Sequence, residues 1–136
     1  SVQSSKHRMN LTFSEVSETI ALSAMYAANH LEGIKAIITL TESGYTAKLM
    51  SRITSPQPIY ALSRHTRTLN KMAMYRGVYP AFFDSTEVSA AELADKAIEV
   101  IREKAGLKSG DLVIMTHGDV METVGASNTC KIVTVK

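Results

Sequence analysis

The chain has 136 residues, 45% of them apolar, with 15 Lys plus Arg against 13 Asp plus Glu. That length and apolar share fit one domain with a buried core, and a net charge of +2 argues against nucleic acid or an anionic membrane as partner. No apolar run approaches the roughly 20 residues of a membrane span. The single cysteine, Cys130, excludes an intrachain disulfide, so a reducing, cytoplasmic setting is expected.

Residues 1–10 are polar and basic (Lys6, His7, Arg8), lack helical periodicity and read as a linker, with the folded domain at residues 11–136. A helix is predicted over residues 13–31. Phe13, Val16, Ile20, Ala24, Ala27 and Leu31 recur at spacings of three and four, Thr12 with Glu15 makes a capping box, and Gly33 is a stop. Its alanines (Ala21, Ala24, Ala27, Ala28) permit close approach of another element.

The apolar run Ala36-Ile37-Ile38-Thr39-Leu40 reads as a buried parallel strand, followed by the small-residue loop Thr41-Glu42-Ser43-Gly44-Tyr45-Thr46 and a helix over residues 47–53. Two readings fit the loop. Converging N–H groups and hydroxyls at a helix start make an anion cradle suited to phosphate. Alternatively, Ser43 and Thr46 simply cap a helix.

A second strand is predicted at Ile59-Tyr60-Ala61-Leu62, a helix over 66–75 ended by Gly77, and a third strand over 78–83, where Pro80 indicates an edge. A capping box from Ser89 to Glu92 opens a helix with Leu93, Ala97, Val100 and Ile101 on one face and Gly106 as its stop. The fourth strand is Leu112-Val113-Ile114-Met115. A Gly-rich loop, residues 118–128, leads to a last strand at 129–135 with no room for a crossover helix, so that strand is expected to be antiparallel. The alternation predicts a three-layer α/β/α fold with a five-stranded, mainly parallel sheet. Ligands bind such sheets beyond the carboxyl ends of strands, where connections diverge, which points to the loops after strands one and four.

No Walker phosphate loop and no Gly-x-Ser-x-Gly elbow occurs, and His7, His30, His65 and His117 lack partners at metal-ligand spacing. His117 fits either a general base or a hydrogen-bonded loop residue, and Asp119 either a ligand contact or a turn residue beside Gly118. Arg64 and Arg67 fit a bidentate phosphate clamp or a solvated helix face. Glu42 repels a phosphate unless it points away, and could instead accept from a sugar hydroxyl. The seven methionines are expected mostly in the core.

In order, the opening helix around residues 18–24, the 41–46 loop, Pro58 to Ser63, Thr68, Arg76 to Pro80, Gly110 to Val113 and Gly125 to Thr129 resemble the C-terminal domain of pyruvate kinase. The details look most like the proteobacterial isozymes activated by AMP or sugar monophosphates. The resemblance implies a parent enzyme that transfers phosphoryl from phosphoenolpyruvate to ADP with Mg²⁺ and K⁺, using a catalytic barrel that residues 1–10 would leave. It implies no catalytic residue, cofactor or metal in this chain itself, and no kinase activity of the chain alone. It places effector phosphate on Thr41, Ser43, Gly44 and Thr46, with Glu42, Tyr45, Arg64, Arg67, Gly118 and Asp119 as further contacts. Glu42 and Tyr45 stand where fructose-bisphosphate-activated members carry hydroxyl residues, which favours a monophosphate. A homotetramer with contacts between these domains is also implied. The alternatives are a structural oligomerisation module with no effector site in use, and a free-standing phosphosugar-binding enzyme with His117 or Glu42 as base.

Overall fold

The computed structural model describes residues 2–118 and 127–136, with side chains from residue 15 onward. Five strands form one sheet in the order β3-β2-β1-β4-β5: β1 (Ile34–Leu40), β2 (Ile59–Ser63), β3 (Val78–Phe82), β4 (Leu112–His117) and β5 (Thr129–Thr134). The first four are mutually parallel, and β5 runs antiparallel to β4, as the short connection requires. Four α-helices accompany them: α1 (Val2–His30), α2 (Tyr45–Ser51), α3 (Thr66–Met72) and α4 (Leu93–Ala105).

Alternation along the strands divides the core in two. Ile37, Ile59, Ala61 and Ile114 pack beneath α1, α2 and the Met72 end of α3, while Ile38, Tyr60, Leu62, Val113 and Met115 pack against Leu93, Ala97, Ile98 and Ile101 of α4. The successive crossovers β1-α2-β2-α3-β3 march one way, so α2 and α3 share a face. The long return through α4 covers the other, as right-handed crossovers demand. Ile37, Ile38, Ile114 and Met115 are fully buried, each worth about 1.5–3 kcal/mol in apolar transfer. Met25, Met50 and Met72 are also buried, whereas Met74 is exposed.

Pro80 does mark an edge. Ile59 N–H donates to Gly77 C=O and Phe83 N–H to Ser63 C=O, so Val78, Pro80 and Phe82 turn their backbone groups away from β2. Val78 N–H is taken by Tyr75 C=O and Pro80 has none, which blunts the free edge against further strand pairing.

Three expectations are corrected. Helix α1 starts at Val2, not near residue 13, so the Thr12/Glu15 pattern lies inside it and residues 2–10 are helical. No Gly or Pro interrupts residues 2–12, and nothing there stops the helix from running through. The buried stripe of α1 is Ser17, Ala21, Ala24, Met25 and Ala28, while Val16 and Leu31 are exposed. Small side chains let α1 lie close to the sheet, and the larger apolar residues flank that contact. On α4, Ile98 is buried and Val100 exposed; a 3₁₀ turn (Ala90–Glu92) precedes the helix, and the Ser89 hydroxyl donates to the Glu92 carboxylate rather than capping a backbone N–H.

Candidate functional site

Strand order places the divergence of connections between β1, which leads toward β2, and β4, which leads toward β5. Just below it, Thr116 Oγ1 donates to Thr39 Oγ1 at 2.9 Å, both fully buried, on the sheet face that α1 and α2 cover. Two hydroxyls close to a pair satisfy each other here, so the strands can end in polar residues without an orphaned group.

Above them the 41–46 loop is built by short-range bonds. Thr41 N–H extends the sheet to Leu62 C=O, and Thr41 Oγ1 accepts from Gly44 N–H at 2.9 Å. Ser43 Oγ accepts from Tyr45 N–H at 3.2 Å. Gly44 precedes α2 at φ 84°, and a Cβ there would lie 3.1 Å from Met72 Cγ, so both backbone and α3 call for glycine. Ser43 is exposed, and the backbone N–H groups of Ser43 and Thr46 carry no hydrogen bond among the described residues. Exposed Ser43 thus offers an outward N–H and hydroxyl to an anion.

Thr46 is not a cap and does not face solvent. It is 1% exposed, and its hydroxyl shares a 2.7 Å hydrogen bond with that of Ser127, itself 3% exposed. This bond joins the β1–α2 loop to the end of the β4–β5 connection across 81 positions of sequence. Asn128 N–H donates to His117 C=O, fixing the start of β5 beside the end of β4. Gly118 is half-buried and its carbonyl accepts from His117 Nδ1 at 2.9 Å. His117 Nε2 is buried with no partner among the described residues. Asp119 and most of the predicted 118–128 loop lie outside the described residues.

Arg64 and Glu42 meet each other. Arg64 Nε lies 3.3 Å from both Glu42 carboxylate oxygens, and His65 Nε2 contacts Glu42 Oε2. Thr68 Oγ1, buried on α3, donates to the backbone carbonyl of Glu42 at 2.7 Å. Arg67 is exposed on α3 and makes no ion pair among the described residues. Tyr45 is partly exposed at the start of α2. Sequence reasoning put Thr41, Ser43, Gly44, Thr46 and Arg64 in one region, but assigned no site role to His65, Thr68 or Ser127. Only the 127–128 end of a predicted loop hinted at the last.

Open parallel α/β sheets with hydroxyl-rich loops at the switch point define a class, and comparison with known proteins narrows it. A family model for the pyruvate kinase alpha/beta domain matches residues 18–133. The chain belongs to that family. Pyruvate kinase II of Salmonella typhimurium is 57% identical over all of the chain, and a Buchnera aphidicola pyruvate kinase is 53% identical over 99% of it. The chain spans 28% of the length of each of these relatives. Among solved structures, Cryptosporidium parvum pyruvate kinase in complex with ADP superposes at a TM-score of 0.76 with 32% identity, over 89% of this chain and 24% of that one. The mainly parallel sheet with its antiparallel last strand is thus the α/β fold of the pyruvate kinase C-terminal domain.

Proposed function

We propose that this chain is the regulatory domain of a pyruvate kinase, that it binds a phosphorylated effector in the 41–46 loop, and that binding is transmitted to the rest of the enzyme. The parent enzyme, on this reading, moves a phosphoryl group from phosphoenolpyruvate to ADP in the cytoplasm. Its Mg²⁺, K⁺ and catalytic residues belong to the larger part of the protein, so the chain alone is catalytically inert. The effector is AMP or a sugar monophosphate. Its phosphate takes the N–H group and the exposed hydroxyl of Ser43.

The observation that carries this reading is the Thr46–Ser127 bond. It ties the loop offered to phosphate to the β4–β5 connection, so a ligand that favours one arrangement of the first loop biases the second. An effector acts only through its differential affinity for two arrangements, and a coupling of about 1–3 kcal/mol is the ordinary allosteric range. Amide NMR of the ¹⁵N-labelled chain tests the assignment. Titration with AMP or ribose 5-phosphate should first move the amide signals of Ser43, Gly44 and Thr46, with Ser127 following. Signals that stay fixed at saturating ligand would refute it.

A second reading, assembly, rests on a different observation. Leu22 and Tyr26 of α1 are 51% and 67% exposed, and Ile132 of β5 is 52% exposed on the sheet face it shares with Cys130, beside α1. These side chains suit a contact between copies in a homotetramer. Sedimentation of Tyr26→Arg and Ile132→Lys should show dissociation relative to wild type. Unchanged sedimentation would remove this surface from the assembly.

A further inference from the structure

Two basic side chains beside the 41–46 loop are already engaged by the protein's own anion. Arg64 and His65 sit in the turn between β2 and α3, and the Glu42 carboxylate reaches across from the β1–α2 loop to accept from both. A carboxylate only accepts, so His65 carries its proton on Nε2. Glu42 is held there by its backbone, whose carbonyl takes the Thr68 hydroxyl, so the side chain can change rotamer while the loop stays docked. Arg64 spends only its Nε on Glu42, and its two Nη amino groups carry no hydrogen bond among the described residues. All three side chains are part-exposed, at 25% for Glu42, 36% for Arg64 and 47% for His65, so solvent and a small anion can reach them. Among the described residues, Asp84 is a further carboxylate that feels these side chains. Hydrogen bonds from Thr86 hold it below its usual carboxylate range, with the Arg64 and His65 charges acting the same way. Its Oδ1 accepts from the Thr86 N–H and hydroxyl, and it forms no ion pair with Arg64 or His65 among the described residues.

We propose that Glu42 is an internal counter-anion that latches Arg64 and His65, and that an incoming phosphoryl group displaces it to use the Arg64 guanidinium and the His65 Nε2–H as the second half of its site. This rests on the effector reading above and deepens it. The latch makes the site selective: a ligand must supply enough negative charge, close to the exposed Ser43 donors, to outcompete a tethered carboxylate. Neutral or singly charged ligands leave the latch closed. Displacement frees Glu42 to turn outward, where its carboxylate suits a ribose or sugar hydroxyl on the same ligand.

The test is calorimetric titration of the purified chain with inorganic phosphate and with AMP, on wild type, Glu42→Gln and Glu42→Gln/Arg64→Gln, each checked by thermal melting for an intact fold. Opening the latch should tighten phosphate binding by about three- to tenfold, the range of a partly exposed charge pair and a charge-assisted hydrogen bond. The gain should vanish in the double variant. In wild type, the Arg64 Nε–H NMR signal should move as phosphate is added. A wild type that binds phosphate, with Glu42→Gln no tighter, would overturn the latch and leave the effector reading standing. Glu42→Gln that binds tighter with or without Arg64 would also overturn it, the gain then being charge removal alone. Binding by Glu42→Gln but not by wild type would support the latch and count against effector use in this protein. No binding by either would overturn both.

Discussion

Replacing Thr46 with valine keeps the side-chain shape and removes one hydroxyl from a pair that is almost completely buried. The Ser127 hydroxyl then loses its partner at 3% exposure, which costs about 1–3 kcal/mol, the penalty for a buried polar group left unsatisfied. Ser127→Ala strands Thr46 in the same way and should cost a similar amount. The double variant Thr46→Val/Ser127→Ala strands neither group, so its cost should fall well below the sum, with a coupling of about 0.5–3 kcal/mol. Each kcal/mol lost should lower the melting temperature by roughly 3–5 °C in a domain of this size. Urea midpoints and calorimetric melting of the four proteins give the cycle. Single costs that add to the double within about 0.3–0.5 kcal/mol would refute the claim that this bond joins the two loops.

Gly44→Ala should destabilise by about 1–2 kcal/mol, because alanine at φ 84° meets the left-handed steric penalty and its Cβ presses on Met72; an unchanged urea midpoint would contradict this. Burial pushes the half-buried Cys130 thiol up from its ordinary range, so less thiolate is present near pH 8. Alkylation by iodoacetamide should therefore be slower in the folded chain than in urea, and equal rates would contradict the burial. Pro80→Val restores an N–H to the outward edge of β3, and should raise aggregation in light-scattering assays with little change in the melt.

The sheet was legible because its central strands are buried on both faces. Ile37 and Ile38 lie on opposite sides of β1 and both are fully covered, so the sequence reads as an unbroken apolar run. Pro80 disclosed the edge, and the short connection before Thr129 disclosed the antiparallel strand. Helix α1 was less legible. Its contact with the sheet is made by Ser17 and alanines, whose weak hydrophobic signal is outweighed by larger residues on the flanks. The site was legible only along the chain. Thr46 and Ser127 are too far apart in sequence for spacing to join them, and Ser/Thr content alone does not separate a cap from a buried bridge. Arg64 reaches Glu42 only because β1 and β2 are neighbours, with Thr68 holding Glu42 from α3, and no spacing in the sequence shows that.

The most direct measurement is a thermal-shift titration of the chain against AMP, ribose 5-phosphate, glucose 6-phosphate and fructose 1,6-bisphosphate, run beside Ser43→Asp. Thr46 variants are unsuitable as the control, since that hydroxyl also holds the fold. Ser43 is exposed, and an aspartate there places negative charge in the cradle without disturbing a buried contact. AMP or a sugar monophosphate should stabilise the chain, by about 2.7 kcal/mol at 100 times the dissociation constant, and Ser43→Asp should abolish the effect. No shift with any organic phosphate, or a shift that Ser43→Asp leaves intact, would contradict the assignment of the 41–46 loop as an effector site.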